Sequence, residues 1–212
     1  RGRLAPDASN KEDGEKPTSS LGIMNLADGG VTVIDRVKGF RVPEEGPAFV
    51  VYHLEKPKSG NKKGDGEKKA EKKPGRSGGS KKTPDYLKDG TPLVIRDLAS
   101  GSETRIEGVM SYGISRKKGI CWFACNSKKD DEKVTRGLFA VALGTGGRTT
   151  LVEGAASYGG FATDREVTRL AFVSDRRDRE AKKATFDLYA WDLGDEPAGR
   201  IVSHVDTEGF PE

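Results

Sequence analysis

The segment Gly75-Arg-Ser-Gly-Gly79 matches the letters of G-x-S-x-G, the nucleophile elbow used for acyl transfer. That chemistry needs a strand before the serine and a helix after it, because only such a turn exposes the side chain as an activated nucleophile. Ser77 instead has Lys-, Gly- and Ser-rich sequence on both sides. We therefore interpret the match as a chance feature of a biased segment, and we predict no catalytic residue in this chain.

The two histidines, His53 and His204, are the other candidates for acid–base chemistry or metal binding. His53 lies in a predicted strand and His204 lies near the end of the sequence. Neither has a nucleophile or a set of ligands close to it in the sequence. We expect ordinary structural or surface roles for both, and we predict no metal site and no cofactor.

The two cysteines, Cys121 and Cys125, are four positions apart on one predicted strand. At ~3.3 Å per residue their Cα atoms would be ~13 Å apart, which is beyond disulfide reach. We interpret them as buried packing residues that say nothing about the redox compartment. The glycine-rich run Gly144–Gly147 lacks the helix and the lysine of a phosphate-binding loop, so a hairpin turn is the favoured interpretation.

The basic charge of the chain is concentrated in one segment, Glu55–Asp89. Its 35 residues include 12 basic and 6 acidic side chains, which gives +6 against +4 for the whole protein. Such a composition buries too little apolar surface to offset chain entropy, so we predict a disordered, solvated insertion. With one aromatic residue, Tyr86, it does not favour base stacking, and we do not expect nucleic-acid binding. The run Arg176–Arg179 could contact a partner domain, although a self-neutralising loop is favoured.

These candidates lie on or between four copies of one β-hairpin pattern. The clearest copy is Leu93–Ile106, where period-two alternation on both sides of Ala99-Ser-Gly101 predicts two strands and a tight turn. The other copies begin at Gly22, Leu138 and Leu188. The anchoring leucines are separated by 72, 45 and 50 residues, and they are Leu26, Leu98, Leu143 and Leu193. A period of roughly 40–50 residues with several strands per repeat is typical of β-propeller blades.

The insertion explains the one irregular spacing. The loop Asn126–Thr135 has 10 residues where Glu55–Asp89 has 35, and removing the 25 extra residues turns a spacing of 72 into 47. We therefore predict an all-β fold, a partial β-propeller of about three four-stranded antiparallel blades plus part of another. The predicted divisions are 1–34 (end of one blade), 35–108 (blade with insertion 55–89), 109–155, 156–202, and 203–212 (linker to a further blade).

Length and composition set the remaining expectations. The 212 residues are 33% hydrophobic and 33% charged, with no apolar run long enough to span a membrane. The sequence starts Arg-Gly-Arg without an initiator Met or a signal peptide, so we expect an internal piece of a longer protein, although a processed N-terminus would look the same. Blades bury their faces only against neighbours, so we also expect the isolated chain to be poorly stable or to associate.

Three stretches carry a family resemblance: Gly90–Gly101, Ser115–Gly119 before Ile120–Ala124, and Leu170–Arg176. They resemble the β-propeller of prolyl oligopeptidase family serine peptidases, in particular bacterial members with TolB-like blade repeats. The resemblance covers about residues 20–205 without the insertion.

The resemblance implies a partner, a C-terminal α/β-hydrolase domain with Ser, Asp and His, and peptide substrates whose entry the propeller limits. The resemblance is compatible with a bacterial periplasmic or secreted location, which the sequence itself leaves unknown. No residue of that triad can be placed in this chain. The alternative that the same repeats imply is a TolB-like propeller for protein interaction.

Overall fold

The computed structural model describes residues 19–56, 86, 88–115, 117–127, 134–164, 168–181, 183–192, 194 and 197–203. In this part of the chain the secondary structure is thirteen β-strands. They are β1 (Leu21–Met24), β2 (Val31–Ile34), β3 (Val37–Arg41), β4 (Phe49–Leu54), β5 (Thr91–Asp97), β6 (Glu103–Ile114), β7 (Ile120–Cys125), β8 (Gly137–Ala142), β9 (Arg148–Glu153), β10 (Tyr158–Thr163), β11 (Arg169–Ser174), β12 (Asp187–Asp192) and β13 (Gly199–Val202).

The strands form antiparallel sheets in chain order, which confirms the predicted all-β class. The sheets are β1-β2, the seven-stranded β3-β4-β5-β6-β7-β8-β9, and the four-stranded β10-β11-β12-β13. The seven-stranded sheet consists of two four-stranded units that share β6. The first half of β6 pairs only with β5, and the second half pairs with β7. The predicted division after residue 108 falls within this strand, at Gly108, whose φ is +73°.

The central strands are continuous apolar runs because their two faces are buried against different neighbours. On β7, Cys121 and Phe123 face the core shared with β4 and β5, whereas Trp122 and Ala124 face the core shared with the last sheet. The same alternation holds on β4, where Val51 lies in one core and Tyr52 in another. Successive units are therefore stacked face to face, which is the arrangement of a partial β-propeller.

Three separate apolar cores hold the stack together. The first joins β1-β2 to the next unit, the second joins the two halves of the seven-stranded sheet, and the third joins that sheet to β10–β13. The largest fully buried side chains are Phe123, Phe139 and Phe172. Each contributes about 1.5–3 kcal/mol from removal of apolar surface from water, so the packing between units is a major source of stability.

Among the described residues, the first sheet packs against the next unit through one of its faces. Leu21 and Ile23 face the next unit, while Met24, Val31 and Val33 share the opposite face by their pairing register. Val33 is 62% exposed and Met24 59%. An apolar strand face of this kind fits the expectation of association, which stays a prediction.

Candidate binding clefts between the sheets

The last strand of each of the first three units ends in one pattern, Thr-x-Ile/Val-Asp/Glu, followed by a residue of positive φ. The three copies are Thr32–Asp35 before Arg36 (φ 59°), Thr104–Glu107 before Gly108 (φ 73°) and Thr150–Glu153 before Gly154 (φ 104°). The left-handed residue redirects the chain from one unit into the first strand of the next. Aligning the hairpins on their turn leucines did not reveal this pattern. A search for a repeated acidic residue at strand ends would have found it.

The junction is also built the same way in successive units. The N–H of Glu55 donates to the carbonyl of Arg36 at 2.8 Å, and the N–H of Asn126 donates to the carbonyl of Gly108 at 2.8 Å. In both cases the residue after the second strand of a unit is bonded to the turn that begins that unit. At these two junctions the last strand is therefore fixed relative to the following unit. Clefts lie along the junctions at Gly108 and Gly154.

One cleft, called here the Arg148 cleft, lies between the last strand of the second unit and the third unit. It has a volume of about 290 Å³. One wall is the strand segment Thr104–Glu107. The opposite wall and floor come from β7, β8 and β9, including Phe123, Val141 and Arg148. Aliphatic, aromatic, hydroxyl and charged groups thus meet in one small concave surface, which is the composition of a ligand site.

Arg148 is held at the cleft by aromatic rings. Its Cζ atom lies 4.0 Å from the centroid of the Phe139 ring and 5.7 Å from that of Phe123. A guanidinium over an aromatic face is attracted by the ring quadrupole. Within the described ranges no carboxylate forms an ion pair with Arg148.

The remaining charges of the Arg148 cleft cancel. Arg105 donates from Nε to Oε1 of Glu107 at 2.6 Å, so these two lining residues form an ion pair. Arg148 is then the uncompensated charge among the described lining residues. The described lining residues therefore carry a net charge of +1, which favours a small anionic group.

A second cleft, called here the Arg176 cleft, lies at the next seam. Its volume is about 380 Å³, and its first wall is the equivalent segment Thr150–Glu153. Arg176 and Tyr189 come from the fourth unit. The Tyr189 ring stacks on Phe172 with centroids 5.2 Å apart, and burial, followed by the charge of Asp187, raises the pKa of Tyr189. The same combination of Thr, aliphatic, Glu and Arg side chains recurs one unit later.

His53 is buried on β4 and contacts the second core rather than solvent. Its Nε2 lies 2.8 Å from Oγ1 of Thr91 and 3.0 Å from the carbonyl oxygen of Val109, and Nζ of Lys38 donates to the same threonine at 3.4 Å. Burial, followed by the charge of Lys38, lowers the pKa of His53. A neutral imidazole that links three strands has the surroundings of a structural histidine.

Both cysteines are buried with free thiols. Burial raises the pKa of Cys125 to about 12 and raises that of Cys121 still further above its ordinary value. A thiol rather than a thiolate at neutral pH is a poor nucleophile and a poor metal ligand.

The glycine-rich run Gly144–Gly147 and the arginine run Arg176–Arg179 both form contacts within the chain. Gly144–Gly147 forms the turn between β8 and β9, where the N–H of Gly146 donates to the carbonyl of Ala142 at 2.9 Å. In the arginine run, Arg179 donates to the carbonyl of Ala155 at 2.7 Å, and Arg177 lies 3.8 Å from the buried carboxylate of Asp187. The run is thus tied to its own unit.

Several sequence predictions concern residues outside the described ranges. The residues and segments concerned are Ser77 in the elbow-like motif, His204, most of the insertion 55–89 and of the linker 203–212, and nearly all of residues 1–19. In the described part, no group of three or more His, Cys, Asp or Glu side chains is placed to hold a metal ion. No helix there has the length and apolar character to cross a membrane.

Comparison with solved structures gives likenesses that cover only part of each matched protein. No protein-family model matches the sequence, and no curated protein is similar to it. Among solved structures, tricorn protease matches with a TM-score of 0.44 and 13% identity, over 83% of this chain and 16% of that one. Pyrococcus horikoshii acylaminoacyl peptidase matches with a TM-score of 0.43 and 17% identity, over 78% of this chain and 25% of that one.

The chain thus spans a quarter or less of each of these two proteins. Identity this low says nothing about activity, and the fold described above stands on the chain's own strand order and register.

Proposed function

We propose that this chain is the non-catalytic propeller portion of a prolyl oligopeptidase-like serine peptidase. In this role it forms a scaffold beside an α/β-hydrolase domain and limits the entry of peptides to the active site of that domain. The proposal rests on the sequence resemblance of Gly90–Gly101, Ser115–Gly119 and Leu170–Arg176, together with the way the units are stacked.

The observation that carries the proposal is the succession of three cores that join four consecutive units in chain order. Units that bury both faces against their neighbours act as one body, and their variation is confined to edges and loops. Such a body suits a scaffold that excludes large substrates by its shape. In this proposal, the residues that hydrolyse the peptide bond lie in the α/β-hydrolase domain of the same protein.

The surroundings of the titratable groups support a non-catalytic role. His53 is only 6% exposed and is bonded to Thr91 and to a backbone carbonyl. Both cysteines are buried as thiols, since burial raises the pKa of Cys125 to about 12. Groups held in this way maintain packing between strands, whereas a general base or nucleophile has to reach the substrate.

The test is a hydrolysis assay with the purified chain 1–212 and with its Ser77→Ala variant. Chromogenic peptide and ester substrates should not be cleaved, and a fluorophosphonate probe should label neither protein, with an active serine peptidase as the positive control. Labelling that disappears in Ser77→Ala would refute the scaffold role. In the full-length peptidase, removal of residues 1–212 should allow larger substrates to be cleaved, provided that the remaining domain folds.

A second candidate function is an interaction module of the TolB type, and the Arg148 cleft favours it. A charged, partly apolar cleft serves no purpose in simple size exclusion, but it suits recognition of another chain. The coding sequence after residue 212 separates the two functions. An α/β pattern with G-x-S-x-G, then Asp and His, supports the peptidase, and its absence supports the interaction module.

A further inference from the structure

We propose that the Arg148 cleft binds an extended peptide strand through an acidic side chain flanked by apolar residues. This site goes beyond the size-exclusion role and does not depend on it. It consists of a strand edge, a guanidinium that forms no ion pair with the described residues, and an apolar floor. Each of these three features selects a different part of the ligand.

The strand edge comes from the first half of β6. Residues 103–107 pair with β5 on one side, whereas the pairing of β6 with β7 begins only at Val109. Four consecutive residues, Thr104–Glu107, line the cleft. Side chains alternate between the two faces of a strand, so a run of consecutive lining residues indicates that the cleft follows the edge of the strand. An unpaired edge is the template for addition of a peptide strand.

At the junction between the third and fourth units, the edge of the last strand accepts a main-chain hydrogen bond from another segment of the chain. The N–H of Ala198 donates to the carbonyl of Leu151 at 3.1 Å, across the seam between the third and fourth units. By the repeated Thr-x-Ile/Val-Glu pattern, Leu151 corresponds to Arg105. In the described part of the chain, Arg105 receives no such bond from the following unit. Leu151 is a bulge residue without a register partner on β8, whereas Arg105 pairs with Val94. The bond from Ala198 therefore shows only that the outer edge of a last strand can accept a main-chain bond from another segment.

The guanidinium of Arg148 selects the charge of the ligand. Stacking over Phe139 at 4.0 Å engages the face of the planar group, while its N–H donors point outward in the plane. A carboxylate can accept two of these donors at once. The neighbouring Arg105 already pairs with Glu107, so a peptide carboxylate meets one net positive charge.

The floor and the volume set the size of the ligand. Ile106 and Val141 are partly buried aliphatic side chains that line the cleft beside Phe123. A volume of about 290 Å³ is at the lower end for ligand sites, so it suits one or two peptide side chains rather than a folded surface. Side chains alternate along an added strand, so the acidic side chain faces the cleft, where its methylene groups meet this floor, and the apolar residues next to it point to the other face.

The experiment compares two blocked peptides, acetyl-Thr-Ile-Glu-Val-Thr-amide and the same peptide with Gln in place of Glu. Binding is followed by NMR as shifts of the backbone amides of residues 104–107. We expect the Glu peptide to bind about tenfold more tightly, because a charge-assisted pair replaces a neutral contact. Equal affinities, or saturable binding that leaves these amides unshifted, would overturn the proposal.

Variants of the protein assign the selectivity to one side chain. Arg148→Gln should abolish the preference for Glu over Gln, and Arg148→Lys should keep part of it. The control Arg169→Gln removes a surface arginine paired with Asp192 on the last sheet, and it should change nothing. A preference that survives in Arg148→Gln refutes the site.

If Arg148→Gln fails to fold, the salt dependence of peptide binding to the wild-type protein tests the role of Arg148 instead. The preference for Glu should fall as salt is added, because exposed charges are screened. A preference that is independent of salt would count against Arg148.

Discussion

Replacing Gly108 by Ala tests the junction that divides the seven-stranded sheet into two units. At this position φ is +73°, and an added Cβ would lie 2.4 Å from Cγ1 of Val134 and 3.1 Å from the carbonyl oxygen of Asn126. The substitution therefore carries two costs. The left-handed backbone disfavours a side chain by about 1–2 kcal/mol, and the overlap adds about 1–3 kcal/mol. We expect the free energy of unfolding to fall by about 2–5 kcal/mol.

Gly146 provides a matched control for the backbone cost alone. Its φ is also +73°, and no atom lies within 4 Å of an added Cβ. Gly146→Ala should therefore cost only about 1–2 kcal/mol. Arg36 occupies the equivalent junction with φ 59° as a non-glycine residue, so Arg36→Gly should be neutral or stabilising by up to about 1 kcal/mol.

Urea denaturation followed by tryptophan fluorescence measures all three changes, since Trp122 and Trp191 are buried at 7% and 3% exposure. The double variant with Val134→Ala should recover part of the loss in Gly108→Ala, because it removes the overlapping methyl groups. If Gly108→Ala costs no more than Gly146→Ala, the contact with Val134 is not a packing constraint. The explanation of the junction would then be wrong.

Three further predictions concern pH, thiol reactivity and the insertion. The lowered pKa of His53 means that the unfolded chain binds a proton more readily, so the free energy of unfolding should decrease from pH about 7 to about 5. His53→Gln should weaken this dependence relative to His204→Gln, as measured by urea titrations at each pH. Neither Cys121 nor Cys125 should react with a thiol reagent at mildly alkaline pH until the chain is unfolded. Deleting Lys58–Lys82 should leave the melting temperature unchanged, and a large decrease would show that the insertion contributes to stability.

The amino-acid sequence by itself determined the strands and their repetition. Continuous apolar runs predicted β4 and β7, and the turn after Asp97 predicted the hairpin of β5 and β6, because alternation and turn chemistry act between near neighbours. The hairpin predicted from the sequence ends at Ile106. In the structure its return strand continues to Ile114 as the twelve-residue β6. Local patterns predict where a strand lies, but they do not show whether two neighbouring strand segments are separate or continuous.

Only the tertiary structure decided which faces meet and where a cleft remains. The seating of Arg148 over Phe139 depends on the pairing of β8 with β9 and on the packing of Phe139 against Phe123. Among the described residues, the first half of β6 pairs with β5 alone, whereas at the next junction Ala198 donates to the carbonyl of Leu151. In the sequence, Arg148 is one arginine among many charged residues. Its position depends on contacts between strands far apart in the chain, and no local preference encodes those contacts.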